Sequence, residues 1–219
     1  MVTMERILVI FDCDGVLVDS EPIANQVKTD LLGAYGLVLS PEQAGSHFKG
    51  LSIPAMVAKI RTDWGVTLPS DFRSRLETAV WAVLEANLQP IPGVAGAVVA
   101  VAQSGSALCV ASGSSREYTR RKLRITGLLP HFEDSLYSAD QVPRGKPSPD
   151  VFLYAASMMG CVPEDCVVVE DSVPGVQAGV AAGMRVLAYA STGDAEALQT
   201  AGGSVFASMA ELPAFLGIQ

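Results

Sequence analysis

The chain has 219 residues, 49% hydrophobic and 17% charged, so it can bury a substantial core and is not typical of a disordered segment. Its formal net charge of −8 argues against a general nucleic-acid binder, which would carry a basic face. No apolar run reaches the roughly 18–20 residues that span a bilayer, and the apolar run before Asp12 is too short for a signal peptide. The four cysteines have no CxxC spacing and are expected to be buried thiols in a reducing cytosol. Together, these features predict a cytoplasmic protein with no membrane or nucleic-acid partner.

The first predicted strand, residues 6–11, is an apolar run that leads directly into Asp12 and Asp14. A run of this kind is typical of a strand buried on both faces of a sheet. Ligands bind at the carboxyl edge of open α/β sheets, and neighbouring carboxylates repel unless a cation offsets their charge. The pair therefore indicates a metal-dependent site, with two solvated turn carboxylates as the simpler alternative.

Residues 19–88 interrupt the strand pattern with helical periodicity. Within them, helices are predicted at 21–35, 41–47, 53–63 and 70–88. Residues 40–43 read Ser-Pro-Glu-Gln, the pattern of a capping box at the start of a helix. We predict two domains: residues 1–18 with 89–219 form an α/β core, and residues 19–88 form an inserted helical module. An insertion over the active edge of a sheet is a natural lid.

After the module, apolar runs alternate with helical segments. Strands are predicted at 107–111, 166–169 and 185–189. Helices are predicted at 93–103, 115–126, 149–159 and 174–182. This alternation predicts an α/β fold with a doubly wound, mostly parallel sheet and helices on both faces.

A serine-rich turn, residues 112–115, follows the strand at 107–111 and opens a basic helix. Backbone N–H groups at a helix N-terminus can hold a phosphate oxygen together with Ser112. A plain N-cap by Ser114 or Ser115 is the alternative, and both functions can hold at once. The basic stretch 118–124 is expected to be an exposed helix face.

Lys146 and a second acidic pair complete the set of candidate residues. Lys146 stands between glycine and proline in non-helical backbone, where a surface lysine is the simpler alternative. Glu170 and Asp171 follow the strand at 166–169. Two acidic pairs at one sheet edge describe a site for a hard cation with oxygen ligands, for which Mg²⁺ is the expected ion.

The motifs together resemble the haloacid dehalogenase superfamily, in this order: Asp12-x-Asp14-Gly15, Ser112, Gly145-Lys146-Pro147 and Glu170-Asp171. Residues 170–179 and 182–184 are similar to the fourth motif region of that family almost residue for residue. The helical insertion resembles the α-helical cap of the β-phosphoglucomutase-like and phosphoglycolate-phosphatase-like members. The resemblance covers essentially the whole chain and implies a Rossmann-like core with an α-helical cap.

By this resemblance, the protein is expected to be a phosphatase that acts through an aspartyl-phosphate. Asp12 would be the nucleophile, and Asp14 would be the general acid and base. Lys146 and Ser112 would stabilise the transferring phosphoryl group. The implied cofactor is Mg²⁺, held by Asp12, the main-chain carbonyl of Asp14 and Asp171, with Glu170 close by or acting through water.

The expected substrate is a small phosphorylated metabolite, a sugar or sugar-acid phosphate such as 6-phosphogluconate. Candidate substrate-binding residues are Glu21, Lys49, Gly50, Ser52, Gly113, Ser114 and Arg116. Solvent exposure is the alternative for Lys49 and Arg116. Gly113 stands where many relatives carry Asn or Thr, which removes one possible contact to the substrate. The protein is expected to be a monomer or a homodimer.

Three functions compete within this resemblance: phosphatase, phosphomutase and binding protein without turnover. Family dehalogenases lack an aspartate at the position of Asp14, so its presence favours phosphoryl transfer. A phosphomutase of the β-phosphoglucomutase type is the main alternative, but such mutases carry histidine at the position of Ala24 and arginine at that of Ile53. A binding protein without turnover is the third, and the complete motifs argue against it.

Overall fold

The structure is a computed structural model that describes residues 7–48, 51–132, 134–190 and 195–218. The chain divides into two compact units: Met1–Asp19 with Gln89–Gln219, and Ser20–Leu88. None of the helices in the described ranges combines the length and apolar character that crossing a bilayer would need.

The first unit is built on a sheet that has six strands in the described part of the chain. They are β1 (Leu8–Phe11), β2 (Ala107–Ser112), β3 (Leu136–Ser138), β4 (Cys166–Glu170), β5 (Arg185–Tyr189) and β6 (Ser204–Phe206). The order is β3-β2-β1-β4-β5-β6, and every neighbouring pair is parallel. The sheet grows outward from β1 on both sides, which confirms the predicted doubly wound α/β fold.

Helices account for most of the remaining described residues. The second unit contains α1 (Glu21–Gly33), α2 (Pro41–Phe48), α3 (Ile53–Trp64) and α4 (Phe72–Asn87). The first unit contains α5 (Val94–Gln103), α6 (Arg116–Ile125), α7 (Leu129–Phe132), α8 (Asp150–Met158), α9 (Val173–Ala181), α10 (Ala195–Thr200) and α11 (Leu212–Phe215). Short 3₁₀ helices occupy Ala139–Gln141, Pro163–Asp165 and Met209–Glu211. The short elements β3, β6, α7, α10 and α11 were not predicted.

Strand β1 is covered on both faces, which explains its unbroken apolar sequence. Leu8 and Ile10 belong to an apolar cluster with Phe152 of α8, and all three side chains are fully buried. Phe11 alternates to the other face, where its ring makes an edge contact with Phe132 of α7 at a centroid distance of 5.9 Å. A strand enclosed in this way has no position that favours a polar side chain until it ends.

The second unit has an apolar core of its own. Leu32, Ile60 and Phe72, from three of its helices, are almost completely buried in one cluster. The capping box predicted at the start of α2 is confirmed. The Ser40 N–H donates to Gln43 Oε1 at 2.8 Å, and the Gln43 N–H donates to Ser40 Oγ at 3.2 Å.

Gly179 lies where α9 packs against the sheet. A Cβ at this position would lie 2.6 Å from Cγ2 of Val186 and 3.5 Å from Cβ of Val168. Alanine normally favours a helix, but we expect Gly179→Ala to lower the free energy of unfolding by about 1–3 kcal/mol because the added methyl overpacks this contact. Urea unfolding followed by circular dichroism measures the change.

Gly96 in α5 is the matched control, since a Cβ there would meet no atom within 4 Å. Gly96→Ala should be neutral or should stabilise the protein by up to about 1 kcal/mol. Equal stability of the two variants would show that the contact between α9 and the sheet tolerates a side chain.

Candidate active site

The carboxyl ends of the central strands meet at one edge of the sheet. Parallel pairing sets Phe11 of β1 opposite Val110 of β2 and Val169 of β4. The Asp12 N–H donates to the Val169 carbonyl at 2.9 Å, which continues the pairing by one residue. Asp12 therefore lies level with Glu170, the last residue of β4.

The ammonium of Lys146 lies between these two carboxylates. Its Nζ donates to Asp12 Oδ1 at 2.5 Å, to Glu170 Oε1 at 2.7 Å and to the carbonyl of Ala111 at 3.3 Å. It also lies 4.8 Å from the centroid of the Phe152 ring. Asp12 is 6% exposed and Glu170 is 1% exposed, so the loop carries Lys146 into a buried site. The alternative of a surface lysine is wrong.

The combined effect of burial and neighbouring charges raises the pKa values of both Asp12 and Lys146. Burial raises the pKa of Asp12 to about 7, although attraction to Lys146 lowers it, and repulsion from Glu170 raises it further. Burial lowers the pKa of Lys146, but Asp12 and Glu170 together hold it above its ordinary value. The lysine therefore stays protonated. Its single positive charge does not fully offset the free-energy cost of burying two carboxylates.

Glu170 is held at both carboxylate oxygens. Oε1 accepts from Lys146, and Oε2 accepts from the backbone N–H groups of Asp171 and Ser172 at 2.8 Å each. The Ser172 hydroxyl donates to the same Oε2 at 2.9 Å. A Cβ at Gly175 would lie 1.8 Å from Oε1, so a glycine near the start of α9 leaves room for this carboxylate. The contacts support a role for Glu170 in orienting Lys146 and the turn between β4 and α9.

Asp14 pairs with a second lysine, Lys122 of α6. Lys122 Nζ donates to Oδ1 at 2.6 Å and to Oδ2 at 2.8 Å, and the hydroxyl of Ser114 donates to Oδ2 at 3.0 Å. Lys122 is only 7% exposed and shares the buried face of α6 with Thr119 and Leu123. The prediction that residues 118–124 form an exposed helix face is therefore wrong at Lys122. Burial lowers its pKa, but Asp14 and other neighbours hold that pKa above its ordinary value.

The serine turn after β2 divides its functions among three residues. Ser115 is the N-cap of α6, where its hydroxyl accepts from the Tyr118 N–H at 3.3 Å. The buried hydroxyl of Ser112 accepts from the Ser114 N–H at 3.0 Å. Because Ser115 caps the helix, the hydroxyl of Ser114 is available for Asp14.

A model of the haloacid dehalogenase-like hydrolase family matches residues 8–183. The chain belongs to this family. It is 32% identical over 188 residues to 6-phosphogluconate phosphatase of Escherichia coli (strain K12), which covers 85% of this chain and 84% of the relative. It is 33% identical over 188 residues to hexitol phosphatase B of the same organism, with 84% of each chain covered.

Solved structures of family members share the fold over almost the whole chain. A conserved haloacid dehalogenase-like protein of unknown function from Agrobacterium tumefaciens is 35% identical, with a TM-score of 0.87 over 97% of this chain and 98% of that one. A haloacid dehalogenase family hydrolase from Deinococcus radiodurans with bound phosphate and sodium is 36% identical, with a TM-score of 0.85 over 97% and 95%. The predicted Rossmann-like core is thus confirmed at the level of fold.

The structure of this haloacid dehalogenase-like hydrolase brings most of the core candidates to one sheet edge: Asp12, Asp14, Ser112, Ser114, Lys146, Glu170 and Asp171. Gly113 is exposed in the turn after β2. The guanidinium of Arg116 donates to the carbonyl of Asp134 at 3.2 Å, so its described hydrogen bond does not involve this group. Lys122 is the residue that sequence reasoning missed; the available signal was its spacing of three residues from Thr119, which also has Leu123 four residues ahead on the buried side of α6.

The candidate substrate-binding residues of the helical unit remain predictions. Glu21 begins α1, and Ser52 is the N-cap of α3, where its hydroxyl accepts from the Ala55 N–H at 3.4 Å. Lys49 and Gly50 lie outside the described residues.

The oxygen atoms at the sheet edge are of the chemical kind that magnesium prefers as ligands. The carboxylate of Asp171 lies beside the turn after β1, where a Cβ on Gly15 would be 2.2 Å from Asp171 Oδ2 and where Gly15 has a φ of +82°. No group of three His, Cys, Asp or Glu side chains in the described ranges is arranged as a metal site. Mg²⁺ does not need one, because it keeps several waters and binds through one or two carboxylates. Asp12, Asp171 and the main-chain carbonyl of Asp14 are suitable donors.

In metal-free protein, we expect Asp12→Asn to stabilise the fold increasingly as pH rises. Burial raises the pKa of Asp12 to about 7 in the folded state, whereas the ordinary value is 3.8. The folded state therefore binds more protons than the unfolded state between these values, and wild-type stability falls as pH rises through this window. Asparagine cannot ionise, so the variant lacks this loss. Urea unfolding in EDTA from pH about 4.5 to about 7.5 measures the difference.

Asp150→Asn is the control for this prediction. Hydrogen bonds from Arg144 and Ser148 lower the pKa of Asp150, so its contribution is lost only as pH falls below the same window. The Asp150→Asn difference should stay constant over the measured range. A constant difference for Asp12→Asn as well would contradict the raised pKa.

Proposed function

We propose that this hydrolase is a Mg²⁺-dependent phosphatase that cleaves the monoester of a small phosphorylated sugar or sugar acid through an aspartyl-phosphate on Asp12. The observation that carries the proposal is the buried ammonium of Lys146, 2.5 Å from Asp12 Oδ1. An anionic nucleophile can approach an anionic phosphate only where cations offset their repulsion. Mg²⁺ bound by Asp12, Asp171 and the Asp14 carbonyl would add positive charge at the phosphoryl oxygens.

The first step transfers the phosphoryl group to the protein. A carboxylate oxygen of Asp12 forms a bond to phosphorus while the bond between phosphorus and the sugar oxygen breaks. The carboxyl group of Asp14 gives its proton to the departing oxygen, so the sugar leaves as an alcohol. Lys146 and the hydroxyl of Ser112 stabilise the oxygens of the group in transfer.

The second step releases phosphate and restores the protein. Asp14, now a carboxylate, takes a proton from a water molecule, whose oxygen forms a bond to phosphorus. The bond between phosphorus and Asp12 breaks, and inorganic phosphate leaves. Asp14 thereby regains the proton that it gave up in the first step, and the cycle balances.

The substrate class is supported by the relatives named 6-phosphogluconate phosphatase and hexitol phosphatase B, each matched over more than four-fifths of its length. The phosphomutase alternative gains no support from the residues that would distinguish it. Ile53 is a hydrophobic residue packed against the apolar cluster of the helical unit, and Ala24 offers no polar side chain.

Phosphate release from a panel of esters tests the proposed activity. With Mg²⁺ present, we expect the wild type to prefer a sugar or sugar-acid phosphate from a panel of 6-phosphogluconate, hexitol phosphates, hexose phosphates, phosphoglycolate and β-glucose 1-phosphate. Asp12→Asn should lose about 1,000-fold or more in kcat because the amide cannot form the covalent intermediate. Circular dichroism checks that the variant is folded.

Two results would contradict this assignment. Retained turnover in folded Asp12→Asn would place the nucleophile elsewhere. Consumption of β-glucose 1-phosphate without phosphate release would identify a mutase.

Removal of divalent metal tests the cofactor. We expect EDTA to lower phosphate release by about 100-fold or more, and added Mg²⁺ to restore it, because the cation offsets charge on the transferring group. Sodium chloride at the same ionic strength is the control for simple screening. Full activity in a metal-free preparation would defeat the magnesium assignment.

A further inference from the structure

The ion pair between Lys122 and Asp14 joins the helix after β2 to the turn after β1. Lys122 Nζ lies 2.6 Å and 2.8 Å from the two carboxylate oxygens of Asp14. The Ser114 hydroxyl donates to one of these oxygens at 3.0 Å and lies 3.5 Å from Lys122 Nζ. Both carboxylate oxygens are therefore bound by donors from one continuous segment of chain, which sets the orientation of the carboxylate.

Stability alone does not account for a lysine at this position. Thr119 and Leu123, on the same face of α6, are fully buried, so an apolar side chain at position 122 would continue that face. The ammonium of Lys122 is instead desolvated, with a side chain that is only 9% exposed. Replacing buried ion pairs by apolar residues is often neutral or stabilising, so the pair calls for an explanation other than folding.

The two lysines of the site have separate carboxylate partners. Lys146 lies 2.5 Å from Asp12 and 2.7 Å from Glu170, whereas Lys122 lies against Asp14. The proposed reaction gives the two aspartates different tasks, since Asp12 bonds to phosphorus and Asp14 moves protons. Each aspartate therefore has a different lysine as its ion-pair partner.

We propose that Lys122 is a positioning residue that holds the Asp14 side chain where it exchanges protons with the leaving group and with the attacking water. The ammonium can donate a hydrogen bond to the carboxylate and also to the carbonyl oxygen of the protonated carboxyl group, so it orients Asp14 both as acid and as base. This inference rests on the proposed phosphatase function. Lys122 acts through Asp14, so its loss should slow only those steps in which Asp14 moves a proton. Such steps can be separated by the choice of substrate, because a 4-nitrophenolate leaving group departs without a proton, whereas an alcohol needs one.

Lys122→Met removes the ammonium and keeps an unbranched side chain. The Asp14 side chain is 28% exposed, so its carboxylate keeps contact with water and we expect the variant to fold. With 4-nitrophenyl phosphate, kcat should fall by about 10- to 100-fold because hydrolysis of the aspartyl-phosphate needs Asp14. The value of kcat/KM, which reports the first step, should stay within about 3-fold. A burst of 4-nitrophenolate equal to the enzyme concentration should precede the slow phase.

With an alkyl phosphate such as a hexitol phosphate, Lys122→Met should lower kcat/KM as well, by about 10-fold or more, since the alcohol leaves with a proton from Asp14. Lys122→Arg keeps a cation that can pair with a carboxylate and should recover most of the lost rate. Arg124→Met removes an exposed charge from the same helix and should leave all of these parameters unchanged.

Several results would overturn the positioning role. A raised KM with unchanged kcat would show that Lys122 binds the substrate itself. Equal losses in kcat and kcat/KM for 4-nitrophenyl phosphate, without a burst, would show an effect on the first step or on the fold. Unchanged kinetics in Lys122→Met would show that the ion pair is structural only.

Acid trapping of the phosphoenzyme distinguishes a failure of the proposed role of Lys122 from a failure of the proposed phosphatase function. The wild type should yield a phosphorylated protein by mass spectrometry, and Asp12→Asn should yield none. If the wild type forms no such species, both the phosphatase mechanism and the role of Lys122 fail. If it does and Lys122→Met accumulates no more of it than the wild type, only the role of Lys122 fails.

Discussion

The site depends on two carboxylates that are buried together at one edge of the sheet. Without a neighbouring cation, their burial would destabilise the fold. Asp12 and Glu170 follow or end neighbouring parallel strands, and the register of those strands brings them level. Their mutual repulsion and desolvation are offset in part by a single ammonium, that of Lys146. The incomplete offset leaves the pKa of Asp12 at about 7, and a divalent cation bound here would offset the remaining negative charge.

The surrounding structure can be understood as support for that arrangement. Glycine at position 175 leaves space for Glu170, and the backbone N–H groups of Asp171 and Ser172 hold its second oxygen. Ser115 caps α6, which leaves Ser114 to bind Asp14. Each of these contacts orients a charged group before any ligand arrives, and such preorganisation is how a protein stabilises a developing transition state.

Much of the fold followed from local patterns. Strands β1, β2, β4 and β5 are apolar except at their ends, where Ser112, Glu170 and Arg185 stand, because both faces of the sheet are covered. The long helices carry amphipathic spacing and identifiable ends, such as the capping box at Ser40. Strands β3 and β6 have only three residues each, too few for a period to emerge. Their place in the sheet comes from pairing with longer neighbours rather than from their own sequence.

The sequence by itself determined which residues stand at the ends of the central strands, because the apolar run of a buried parallel strand stops where polar residues begin. The order of the motifs along the chain also pointed to the haloacid dehalogenase-like family to which the chain belongs. Only the tertiary structure decided which cation meets which carboxylate. Lys146 comes from a loop and Lys122 from a helix that is rich in basic residues. Whether a long side chain faces solvent or core depends on how its element packs, and that packing involves residues more than a hundred positions away along the chain, as between Lys122 and Asp14.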